Sequence, residues 1–118
     1  GMPAPLLAQG ERVDINASFS AINQRNDSPA FQGGRVDCTF GGVELDLTQA
    51  VIAGPEARLD ISARFSGIEL RVPREWQVVM EMDAAFGGVE DKTTPPIAGG
   101  PRLLLRGDVV FGGVEVKN

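Results

Sequence analysis

The chain has 118 residues, with 15 Gly, 8 Pro, one Cys, no His and a formal charge of −5. That length suits one domain with a modest core, and no apolar run approaches the ~20 residues a spanning helix needs. The acidic balance disfavours nucleic acid and anionic lipid surfaces, a single Cys excludes an internal disulfide, and the lack of His removes the commonest acid–base group and metal ligand at neutral pH.

Residues 1–11 read as a flexible lead-in and 12–118 as a single domain. Gly1-Met2 resembles a processing remnant, so the chain reads as a piece of a longer protein. From Val13 onward the apolar residues alternate with polar ones: Val13, Ile15, Ala17 before Phe19; Val36, Cys38 before Phe40; Leu59, Ile61, Ala63 before Phe65. The pattern returns as Met80, Met82, Ala84 before Phe86 and as Leu103, Leu105, Gly107, Val109 before Phe111. A period of two marks a strand with one buried face.

Each Phe opens a copy of one motif. "FGGVE" occurs at 40–44, 86–90 and 111–115, "FSGIE" at 65–69 and the fainter "FSAIN" at 19–23. The Phe spacings are 21, 25, 21 and 25 residues, which implies a two-coil unit used twice. Beyond each Phe the apolar positions shift phase, to Val43, Leu45, Leu47 and to Ile68, Leu70, Val72. A bend at the Gly pair keeps both arms facing inward, since glycine takes the positive φ or bulged geometry of a sharp corner. A further large apolar residue follows at Phe31, Ile52, Trp76 and Ile97, beside turn-forming stretches such as "NDSP" and "AGPEA". The expectation is an all-β, single-domain β-solenoid, a short β-helix of about five coils with Phe-Gly-Gly corners. The five Phe would stack in chain order as one internal column at roughly 4.8 Å. A small antiparallel sandwich is the alternative, but it leaves the repeated phase change without a cause.

No catalytic, cofactor or metal site emerges. Cys38 holds a small inward position and has no His to activate it. Four residues after each Phe lie Asn23, Glu44, Glu69, Glu90 and Glu115, an outward row in which four are acidic. Two residues further on, Arg71, Lys92 and Lys117 supply opposite charge, while Asp46 does not. The row reads as a solvated, partly paired face; a calcium or cationic-ligand strip is the alternative. A convex strand face offers no cleft for paired-carboxylate hydrolysis, and the Gly pairs precede strands rather than a phosphate-binding helix.

The order of "FQGGRVDCTFGGVELDLTQA", "LDISARFSGIELRVPREWQV", "FGGVEDKT" and "FGGVEVKN" resembles the C-terminal domain of the LiaF-like family, bacterial membrane proteins of the cell-wall-active-antibiotic response. The resemblance spans roughly residues 12–118. It implies N-terminal transmembrane helices outside this chain, a bacterial cell-membrane location with the domain on the cytoplasmic side, and a role in envelope-stress signalling that restrains a sensor kinase. It supplies no catalytic residues.

The functional expectation is therefore a non-enzymatic protein-interaction domain. Its partner surface would comprise Glu44, Asp46, Glu69, Arg71, Glu90 and Lys92 with the Trp76 turn. Self-assembly into an end-to-end dimer is the alternative, through the last strand, which ends at Asn118 without an evident cap. A cell-wall carbohydrate or calcium binder is a third reading.

Overall fold

The structure is a computed structural model that describes residues 7–8, 11–96 and 99–118. Its strands, among the described residues, are β1 (Leu7–Ala8), β2 (Arg12–Ser18), β3 (Ala21–Asn26), β4 (Gly33–Asp46), β5 (Glu56–Arg71), β6 (Gln77–Ala85), β7 (Gly88–Asp91), β8 (Arg102–Val110) and β9 (Gly113–Lys117). No described helix is long and apolar enough to cross a membrane.

Alternation does what the sequence requires of it. Along β2 every second residue is buried, and β4 and β5 bury Val36, Cys38, Leu59, Ile61 and Ala63 before the bend. After the bend Val43, Leu45, Leu47, Ile68, Leu70 and Val72 are buried too, so both arms face one core. Each strand–bend–strand unit is a rung, and every pairing between rungs is parallel and in register. Five rungs joined by four returns make a β-solenoid of about four turns, one fewer than the expected five coils, because the last rung has no return after it. The third side carries Phe31, Ile52 and Trp76, all buried, with Phe31 and Trp76 stacked at 5.9 Å. Ile97 lies outside the described residues. Within the segment 1–11, the backbone of Leu7–Ala8 pairs with Arg25–Asn26 of β3.

The rungs do not stack in chain order. After β5 the chain skips a position, lays down β6 and β7 at the far end, and then inserts β8 and β9 between β5 and β6/β7. The apolar content of the two rungs explains this. An inner rung is covered on both sides, and β8–β9 offers Leu103, Leu105, Val109, Val114 and Val116, all at most 2 % exposed. The β6–β7 rung, with Glu81, Asp83, Glu90 and Asp91, takes the end. Gly107 suits the inner place as well, because a Cβ there would stand 1.7 Å from the Ile61 carbonyl oxygen. The order also sets Asp14, Arg35, Asp60, Arg106 and Glu81 in one outward row of alternating sign. Chain order would place Asp60 against Glu81. The terminal Asn118 is consequently interior to the stack: its side chain accepts from the Thr94 N–H at 2.7 Å and donates to the Val72 carbonyl at 3.1 Å. It is not the open edge that self-assembly through the last strand would need.

Candidate interaction face

The corner differs from the sequence expectation in a way that creates the candidate site. The positive φ belongs to the Phe, not to the glycines after it. Phe19, Phe40, Phe65, Phe86 and Phe111 have φ between 51° and 55°, a left-handed conformation rare for a bulky residue. This single left-handed residue turns the chain and throws its own side chain outward. The column is therefore external rather than internal. Its rings follow the rung order Phe19, Phe40, Phe65, Phe111, Phe86, with centroids 4.8–5.0 Å apart and planes within 9°.

The first glycine after the Phe serves close approach. A Cβ at Gly41, Gly87 or Gly112 would meet the carbonyl oxygen of the adjoining rung at 2.0–2.1 Å. Ser66 occupies the same place on its rung without loosening it. Its hydroxyl lies 2.8 Å from the Cys38 carbonyl and 2.6 Å from the Arg64 carbonyl, binding the corner to the rung beneath.

The second glycine has another effect. Cβ atoms built on Gly67 and Gly88 would meet nothing within 4 Å. The row Ala21, Gly42, Gly67, Gly113, Gly88 is thus nearly bare of side chains, and it floors a groove of about 870 Å³ that crosses all five rungs. The Glu row borders this groove in the order Asn23, Glu44, Glu69, Glu115, Glu90. The face therefore runs from a ridge of aromatic rings, across a bare strip, to a line of carboxylates.

Partners of the carboxylates differ. Lys117 forms an ion pair with Glu69 and lies 4.0 Å from Glu115; Lys92 lies 3.5 Å from Glu115 and 3.9 Å from Glu90. Glu44 has no ion pair within 4.0 Å among the described residues. The Lys117 ammonium, hydrogen-bonded to Glu69, holds that carboxyl below its usual range against a smaller push from burial, and the charges of Arg71 and Lys92 add to the effect. At Asp46, burial pushes the carboxyl up. The Thr48 hydroxyl and amide, with Arg25 and Arg71, outweigh it and leave the carboxyl lowered. Asp46 is in part a turn residue, accepting from the Thr48 hydroxyl at 2.6 Å and its N–H at 2.9 Å.

The residues singled out from the sequence separate into three groups. Glu44, Asp46, Glu69 and Arg71 converge on one depression of about 240 Å³. Glu90 and Lys92 lie at the end rung, two rungs from Glu69. Trp76 does not belong to the surface: it is 2 % exposed and packs flat on Phe31 in the core. What the sequence reading missed is the Phe ridge itself, because period-two counting places the Phe on the inward face with Ala17 and Ala63. Among the described residues no cluster of His, Cys, Asp or Glu is arranged to hold a metal ion.

A search of curated proteins and a search of solved structures each found no match. Residues 18–95 match the family described as cell wall-active antibiotics response LiaF, C-terminal, which covers the chain from the first Phe corner to the end rung. With that match over more than half its length, the chain belongs to this membrane-associated, regulatory family of the response to cell wall-active antibiotics.

Proposed function

We propose that this domain is a non-enzymatic docking module that regulates the antibiotic-stress response by binding a protein partner, a membrane sensor kinase, along the corner face. The observation that carries the reading is the external Phe ridge beside a groove with an almost bare floor. A left-handed conformation costs a bulky residue roughly 1–2 kcal/mol, and five Phe residues adopt it. Strained backbone that recurs beneath an exposed apolar ridge supports reading the ridge as a working surface as well as a corner. The groove admits a partner's backbone closely because no side chains stand in it. The carboxylate row then selects for cations on the partner, with Glu44 the least neutralised member. The cytoplasmic side is part of the same proposal.

The test is a two-hybrid assay in living bacteria between the membrane-anchored full-length protein and each sensor kinase of the host. A reporter of the cell-wall antibiotic response is read in parallel. Gly67→Val fills the groove without a backbone clash, and Glu44→Lys reverses charge beside it. Both variants are expected to lose pairing and to release the reporter. Pairing that persists in both would refute the corner face as the docking surface.

A further inference from the structure

The end rung carries a separate feature. Residues of β8 that point to the core, Leu103, Leu105 and Val109, are fully buried, whereas their register partners on β6, Val78, Met80 and Ala84, are half-buried or exposed. The difference is the coverage that one more rung would supply. At the opposite end β1 pairs with β3, so that part of the stack is already covered. On β6 and β7, backbone pairing sites and the apolar row lie open together.

We infer that this edge takes an extended segment of a partner protein in which apolar and basic residues alternate, added as a sixth rung. Charge decides the occupant. The outward row through Asp14, Arg35, Asp60, Arg106 and Glu81 alternates in sign and ends on a carboxylate. Continuing it calls for a cation opposite Glu81. Glu81 already has Arg106 at 3.7 Å on its inner side and is open on the other. In the next outward row Asp83 lies in register with Asp108, another carboxylate, whose cation is Arg64 at 3.6 Å. No ion pair serves Asp83 among the described residues, so a cation is called for there too. Glu81 and Asp83 are two apart on one strand, which fixes the spacing: basic residues at every second position. The positions between them face Met80, Met82 and Ala84 and are apolar. Strand addition of this kind takes its affinity from main-chain hydrogen bonds and its specificity from alternate side chains.

A second copy of the chain fits poorly. Its β6–β7 edge brings Glu81, Asp83, Glu90 and Asp91 against the same residues, with Lys92 as the cation of that rung. Its β2 edge, stacked in register, sets Asp14 against Glu81. Natural sheets use like charges at edges to prevent such pairing.

The edge is distinct from the corner face, and the experiment separates them. The probe is a peptide of about nine residues, the length of β6, alternating Val with Lys. It is N-methylated at every second residue so that it pairs through one side and does not self-associate. Titration by fluorescence anisotropy is expected to show saturable binding, and hydrogen exchange to show that the β6 amides facing away from β8 are protected only with the probe. The Glu81→Lys/Asp83→Lys double variant, at exposed sites and checked for fold by circular dichroism, is expected to bind the Lys probe about tenfold more weakly and to prefer a Val–Glu probe. Gly67→Val is expected to bind the Lys probe as the wild type does. Four results would each overturn the inference: no binding, equal binding of Lys and Glu probes, loss of binding in Gly67→Val, or a dimer by light scattering in which the β6 amides facing away from β8 are protected in the absence of probe.

Discussion

Replacing Phe65 by Ala and by Gly separates two opposing contributions at the corner. The end rings Phe19 and Phe86 are 79 % and 78 % exposed, and the inner rings Phe40, Phe65 and Phe111 are 45 %, 50 % and 46 %. A second stacked neighbour thus covers about a third of a Phe side chain. With ~200 Å² per aromatic side chain, that is ~65 Å², or ~1.6 kcal/mol as an upper figure. Aromatic pairs themselves contribute ~0.5–1.5 kcal/mol, so about 1 kcal/mol per stacking contact is a reasonable working value. Phe65→Ala removes two contacts and keeps a left-handed φ, so it is expected to destabilise by about 2 kcal/mol. Phe19→Ala removes one contact, and about 1 kcal/mol is expected. Phe65→Gly loses the same two contacts but relieves the backbone, recovering about 1 kcal/mol relative to Ala. Urea unfolding followed by circular dichroism reads all three, with unchanged m-values as the check that the transition is the same. The reasoning fails if Phe65→Ala matches the wild type or if Phe65→Gly is less stable than Phe65→Ala.

Three further outcomes are expected. Gly112→Ala sets a Cβ 2.1 Å from the Ser66 carbonyl oxygen and should destabilise by about 3 kcal/mol or more, whereas Gly88→Ala meets nothing within 4 Å and should stay within about 1 kcal/mol of wild type in the same urea assay. Because the Glu69 carboxyl is held below its ordinary value of 4.5 in the folded state, its contribution is present above that value and is lost as pH falls through the folded value. Lys117→Met should therefore flatten the fall in urea midpoint between about pH 6 and pH 3, and an unchanged slope would remove Lys117 as the cause. The rung order predicts that Ser62→Cys with Asp108→Cys, register partners, cross-links on mild oxidation and that Ser62→Cys with Asp83→Cys, two rungs apart, does not. The opposite yields on non-reducing gels would restore chain order.

Strands, bends and the solenoid were legible in the sequence because their cause is local. Side chains alternate along any strand, so Val13, Ile15 and Ala17 declare a buried face by themselves, and the phase change at Val43 and Ile68 declares a bend. The first glycine of each pair was legible as a special position, though its reason is the carbonyl of the neighbouring rung rather than its own φ. The direction of the Phe was not. It depends on the sign of one dihedral, and an aromatic residue that continues an apolar alternation gives no hint that it leaves the core. Trp76 was legible as the large third-side residue of its coil, and it packs there on Phe31; what the sequence did not settle is that its ring leaves the turn surface altogether.

Rung order is the clearest instance of what only the tertiary structure decided. Two rungs compete for one inner place, and the outcome depends on burial summed over both neighbours, which no local pattern contains. A trace of it was nonetheless written in the chain, since Asp60, Glu81 and Arg106 alternate in sign only when the last rung is inserted. By itself the sequence determined the rung as a unit, because backbone geometry acts within a few residues. The stacking of rungs, and with it the external ridge, the bare groove and the acidic open edge, arises from contacts between residues about 21 to 46 positions apart, where packing and charge are settled together.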